Sequence, residues 1–234
     1  MQVLKRCKNT ILISAFLVVI LTVSLFIVLL STPTTPQIPT SGLYPGEITQ
    51  FQNQSLTSIS QFNEEIIKHP DVSITGIQYI NQTTYRLTIN GLVNHTRQYT
   101  YEDVVNNFQP YQKVATLLCV EGWSATILWQ GVSVHDLLQE ANASSNATTL
   151  IFSASDGYTT ALPIDYITQN NIILAYKMNN VTLTPQAGWP FALIAQNQYG
   201  YKWIKWVTEI EVSNDTSYLG YWESRGYPNN ATFP

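Results

Sequence analysis

The chain has 234 residues, 45% of them hydrophobic and 12% aromatic, enough apolar material for one sizeable core or two small ones. Only 11% are charged and the formal net charge is -4, so no basic surface is expected that could neutralise a phosphate backbone, and nucleic acid is excluded as a partner. With cysteines only at positions 7 and 119 and three histidines without paired spacing, a disulfide framework and a structural zinc site are excluded as well.

In chain order, Lys5, Arg6 and Lys8 precede residues 11–30, an uncharged apolar run of twenty residues interrupted only by Ser14, Thr22 and Ser24. That length spans a bilayer core, and the basic flank keeps residues 1–10 cytoplasmic. The rival reading is a cleaved signal peptide; the run is longer than a usual signal core and no small-x-small site follows it. The expectation is therefore a transmembrane anchor at the cell membrane, with everything after it extracytoplasmic. Cys7 lies before the apolar run, so it is not a lipoprotein cysteine of the usual layout. Residues 31–46, rich in Ser, Thr and Pro and without charge, read as an extended stalk. Residues 47–234 are then the external domain. It carries Asn-x-Ser/Thr sequons at Asn53, Asn81, Asn94, Asn142, Asn146, Asn180, Asn214 and Asn230, as expected of a glycoprotein surface. On this topology Cys7 and Cys119 lie on opposite sides of the membrane and cannot pair. Cys119 is a lone external thiol, to be buried, ligated or redox-active.

Within the domain, the spacing of Ile59, Phe62, Ile66 and Ile67 predicts a helix in residues 47–68, stopped by His69-Pro70. Residues 85–93 alternate as a half-buried strand. Thr100 and Asp103 resemble a capping box opening a short helix that ends before Pro110. Residues 113–120 read as a strand carrying Cys119. Residues 123–129 read as its neighbour, turning at Gln130-Gly131 into a helix capped by Ser133. Strands are predicted at 150–155 and 158–162 about an Asp156-Gly157 turn, followed by a helix from Pro163 through Tyr166 and Ile167. Strands at 172–178 and 181–183 flank Asn179-Asn180, a pair that tolerates the left-handed conformation of a hairpin turn. Strands at 191–195 and 204–212 complete the series. Many short strands, few short helices and no βαβ rhythm predict an α+β domain with mostly antiparallel or mixed sheets.

Ser133, His135 and Asp136 are neighbours in sequence, whereas a catalytic triad is assembled from distant residues, and the chain has no nucleophile elbow. Glycine-rich phosphate loops are absent too, which disfavours hydrolases and nucleotide enzymes.

Two elements carry chemistry. One is Cys119-Val120-Glu121-Gly122-Trp123-Ser124, followed by Trp129 and Gly131. The other is the run of residues 199–206, Tyr-Gly-Tyr-Lys-Trp-Ile-Lys-Trp. Together they resemble the molybdopterin-binding domain of the sulfite oxidase family, over residues 85–222. The match is nearest to the bacterial and archaeal members that include methionine-sulfoxide reductase catalytic subunits. The resemblance implies a molybdenum–molybdopterin cofactor whose only protein ligand to the metal is Cys119, a soft thiolate suited to such a centre. It implies that Glu121, near the metal, moves a proton as oxygen leaves or arrives. Tyr201, Trp203, Ile204 and Lys205 would bind the pterin, with backbone N–H groups and the Lys205 ammonium toward its phosphate. The role of Lys202 stays open between a phosphate contact and a solvated charge.

The chain departs from the family at Ala187 and Ala192, beside Gly188 and Pro190, where relatives carry polar or basic residues. Asn63 is an insecure counterpart of an asparagine expected to approach the pterin. Two functions follow. The first is an anchored oxidoreductase transferring an oxygen atom to or from a small, possibly sulfur-type substrate, served by a separate electron-transfer partner because no CxxCH haem motif occurs. The second is a surface domain of the same fold that has lost catalysis and serves binding or envelope structure.

Overall fold

The computed structural model describes residues 42–70 and 73–233. The expected anchor at 11–30, its basic flank and most of the stalk lie outside these residues. Among the described residues no helix is long and apolar enough to cross a membrane.

Two five-stranded sheets carry the architecture. The first contains β5 (Pro110–Leu118), β6 (Ser124–Ser133), β9 (Ile173–Met178), β10 (Val181–Thr182) and β11 (Ala192–Ile194), in the order β10-β9-β6-β5 with β11 also on β9. The second runs β4-β3-β12-β7-β8, from β3 (Leu87–Gly91), β4 (Arg97–Tyr99), β7 (Thr149–Ala154), β8 (Thr159–Pro163) and β12 (Val207–Ser213). Every pairing is antiparallel except β12 with β3. The α+β expectation with mostly antiparallel, mixed sheets therefore holds for this domain. A small hairpin, β1 (Gln50–Phe51) and β2 (Gln54–Ser55), precedes the first helix.

The helices are α1 (Ile59–Lys68), α2 (Tyr101–Asn107), α3 (Val134–Glu140) and α4 (Ile164–Gln169). Helix α1 starts later than its predicted range because Ser58 caps it: the Ser58 side chain accepts from the Gln61 backbone N–H, and Gln61 reaches back to Ser58. The Thr100–Asp103 box opens α2 as read from the sequence. Ile59, Phe62 and Ile66 turn the apolar face of α1 into the core, where Phe62 meets Trp129 edge-on at 5.8 Å.

Several boundaries differ from expectation. Strand β6 does not turn at Gln130-Gly131; it continues to Ser133 through a register shift opposite β9. Glycine is required there, since a Cβ on Gly131 would lie 2.0 Å from the Leu174 carbonyl oxygen. Gly131→Ala is expected to cost about 2–3 kcal/mol, as overpacking against backbone does, measured by urea unfolding. Ser133 occupies the N-cap of α3 without a side-chain capping bond. Strand β12 begins at Val207 rather than at Ile204, because Trp206 has φ 54 and breaks the extended backbone. The Asn179-Asn180 turn is left-handed at both residues, φ 45 and 71, as its sequence demands. All eight sequon asparagines are exposed.

Candidate functional site

Strand β5 ends at Leu118, so Cys119 stands just past the strand rather than within it. The loop to β6 is Val120-Glu121-Gly122. Gly122 N–H donates to the Cys119 carbonyl at 3.1 Å, and Cys119 N–H donates to the Trp123 carbonyl at 2.9 Å. Gly122 has φ 91, the positive value a three-residue hairpin loop needs at its last position. The hexapeptide is thus a hairpin tip closed through the backbone of Cys119, a closure in which the sulfur takes no part. Gly200 backs it: a Cβ there would lie 3.4 Å from Leu117 Cδ2 and 3.6 Å from Cys119 Cα.

The sulfur faces a cleft of about 500 Å3, counting the space open to solvent, whose wall includes Cys119, Glu121, Trp123, Trp203, Lys205 and His69. In the same cleft wall, Lys205 is 6% exposed. Among the described residues it has no hydrogen-bond or ion-pair partner; its ammonium sits 4.6 Å over the Trp206 ring. Gly188, φ 103, makes room for it, since a Cβ at that position would lie 2.9 Å from Lys205 Cβ. Ala187 and Ala192 also line the cleft, where both form apolar wall.

The other residues of the 199–206 run divide. Trp203 lines the cleft, with its indole N–H on the Gln198 carbonyl at 2.9 Å. The Tyr201 hydroxyl donates instead to the Pro228 carbonyl at 2.8 Å, and its ring packs on Tyr227. Ile204 is fully buried. Among the described residues, the backbone N–H groups of Ile204 and Lys205 have no hydrogen-bond partner. Lys202 is neither a solvated charge nor a cleft residue: it is fully buried, ion-paired with Glu223, and donates to the Ala161 carbonyl at 3.1 Å and Asn229 Oδ1 at 3.0 Å. Asn63 is buried between the Tyr44 hydroxyl at 3.2 Å and Thr184 Oγ1 at 2.9 Å. Arg225 lies on the Tyr221 ring, 3.6 Å from its centroid.

Burial pushes the Lys205 ammonium down to about 8, partly offset by the Asp156 charge, and burial does the same to Lys113. An unfolded chain keeps those protons up to the ordinary lysine range, whereas the folded chain releases them near pH 8. Stability therefore rises with pH across that interval. The cofactor-free chain is expected to gain stability between about pH 8 and 9.5, and Lys205→Met to flatten the slope, measured by urea unfolding at stepped pH. Above that window buried tyrosines such as Tyr101, pushed up to about 12, oppose the trend.

Sequence reasoning read His69 only as the end of a helix. It lines the cleft, with Nδ1 2.9 Å from Glu121 Oε2. The same carboxylate oxygen is 3.8 Å from Cys119 Sγ. Trp123, read only as part of the hexapeptide, brings a buried indole N–H with no partner among the described residues. A histidine before proline carries no signal of such a contact, which depends on where the hairpin tip falls.

The cleft brings together a thiol, a buried cation and an indole N–H, the last two without hydrogen-bond partners among the described residues. Such donors suit a site for a soft metal and an anionic group. The family model for the oxidoreductase molybdopterin binding domain matches residues 74–222. The chain belongs to this family, the molybdopterin-binding oxidoreductase domain of the sulfite oxidase type. It is 34% identical over 150 residues to the uncharacterized oxidoreductase YuiH of Bacillus subtilis, covering 64% of this chain and 75% of that protein. It is 26% identical over 188 residues to the protein-methionine-sulfoxide reductase catalytic subunit MsrP of Gluconobacter oxydans, covering 73% of this chain and 60% of that protein. The solved sulfane dehydrogenase SoxCD of Paracoccus pantotrophus shares the fold, with a TM-score of 0.58 and 23% identity over 60% of this chain and 41% of that one.

Proposed function

We propose that the chain is a membrane-anchored, extracytoplasmic oxidoreductase that transfers an oxygen atom to or from a small, sulfur-type substrate. The observation that carries the reading is that Cys119 and Lys205, far apart in sequence, line one cleft. The residues fit a molybdenum–molybdopterin group: Cys119 would ligate the metal, while Lys205, the free N–H groups of Ile204 and Lys205 and the Trp123 indole would hold the pterin and its phosphate. When bound, the group supplies the two-electron chemistry of oxygen transfer. The protein's part is orientation and proton handling. Glu121 would give or take a proton at its carboxylate, and Phe62, Leu193 and Ile194 give the cleft apolar wall.

The sulfur-type substrate is supported by likeness to protein-methionine-sulfoxide reductase subunits. The anchor rests on residues 11–30, and the exposed sequons fit a glycosylated external surface. Two-electron turnover would then call for a separate electron partner, since no CxxCH haem motif occurs in the sequence. A second reading, a non-catalytic domain of this fold, draws on the apolar Ala187 and Ala192 in the cleft wall. Metal analysis separates the two. Expressed in a host that assembles molybdopterin, the chain should carry about one molybdenum; a folded chain without metal would leave only the second reading.

A further inference from the structure

His69 ends α1, where its backbone N–H closes the helix on the Glu65 carbonyl at 2.9 Å. Its ring lies along Trp123, centroids 6.3 Å apart and planes 27° from parallel, and Trp123 packs edge-on against Phe62 of α1 at 6.2 Å. Nε2 is 3.6 Å from Glu65 Oε2, one helical turn back. The ring is therefore held on one face, and Nδ1, when it carries a proton, pairs with the Glu121 carboxylate 2.9 Å away. Glu121 is partly exposed on a three-residue loop, where a glutamate side chain has several rotamers open to it. A donor fixed to the end of a helix selects one of them, and in the selected rotamer the carboxylate lies 3.8 Å from Cys119 Sγ.

We propose that His69 is a positioning residue that holds the Glu121 carboxylate beside Cys119. Its catalytic sense rests on the oxidoreductase reading above; the contact itself does not. Helix α1, not the hairpin loop, then sets where the proton-handling group stands. Displacing the end of α1 moves the carboxylate without touching the sulfur.

The test uses the full chain purified without cofactor, with iodoacetamide as the reagent and modification at Cys119 followed by peptide mass spectrometry. A carboxylate 3.8 Å from the sulfur opposes negative charge on the attacking thiolate, so Glu121→Gln should react about threefold or more faster than the unaltered chain. His69→Phe keeps a ring against Trp123 but has no donor. It should release the carboxylate, speed the reaction similarly, and add nothing in the Glu121→Gln background. His69→Asn, whose amide nitrogen stands near the place of Nδ1, should react at the unaltered rate. His69→Ala carries the same expectation as His69→Phe should the larger ring prevent folding. An unchanged rate in His69→Phe, or equal acceleration with and without Glu121, would overturn the proposal. Molybdenum content of cofactor-loaded protein is measured alongside. Metal present without coupling removes the positioning role alone, and metal absent removes the oxidoreductase reading and the catalytic sense of the contact with it.

Discussion

Cys119→Ser is expected to lower molybdenum from about one per chain to less than a tenth of that while the fold is retained. The fold is spared because the hairpin tip is closed by backbone bonds, Cys119 N–H to the Trp123 carbonyl and Gly122 N–H to the Cys119 carbonyl, which a serine reproduces. The metal is lost because an alcohol oxygen is a hard, protonated donor where a soft thiolate is wanted. Elemental analysis after gel filtration reads the metal, and circular dichroism reads the fold. Retention of molybdenum by the serine variant would show that the cofactor is held without the sulfur. Loss of fold would show that the thiol is a core residue after all.

The second large effect separates two lysines three residues apart. Lys205→Met should weaken retention of the cofactor about ten- to a hundredfold, the range set by losing one charge-assisted contact to an anion. The same change should leave the cofactor-free chain equally stable or more so, because it replaces a buried cation that has no hydrogen-bond or ion-pair partner among the described residues by an apolar side chain of similar length. Lys202→Met should do the opposite. It strands the buried Glu223 carboxylate, whose Oε2 has no partner among the described residues even with Lys202 present, and should cost about 3–5 kcal/mol. Urea unfolding of the two variants without cofactor gives the comparison. If Lys205→Met proved the more destabilising, Lys205 would be a structural cation and the anion site would have to be sought elsewhere.

Much of the fold could be read locally. The Asn179-Asn180 and Asp156-Gly157 turns, the Thr100 capping box and the alternation around Leu87 and Ile89 each act within a few residues, and each appears where its signal lies. Errors fall where distant chain intervenes. Gln130-Gly131 resembles a turn, yet Gly131 is there to let the Leu174 carbonyl of β9 come close, and the strand runs on. Residues 204–206 resemble the start of a strand, yet Trp206 takes a left-handed backbone as its indole N–H bonds the Pro185 carbonyl at 2.8 Å.

The candidate site divides along the same line. Sequence by itself determined that one cysteine would be carried by a strand with a carboxylate and a glycine directly after it, and that a lysine-bearing run would follow far downstream; the structure moved Cys119 just past the strand, to a hairpin tip. The resemblance assigned Lys205 to the phosphate and left Lys202 open; tertiary structure decided what each lysine is buried against. Lys202 and Lys205 are chemically identical, and only the arrival of Glu223 from the C-terminal segment neutralises the first and leaves the second facing the cleft. It likewise decided that the end of α1 would bring His69 to Glu121. A charge's role is set by what it is buried against, and that partner lies beyond the reach of any local pattern.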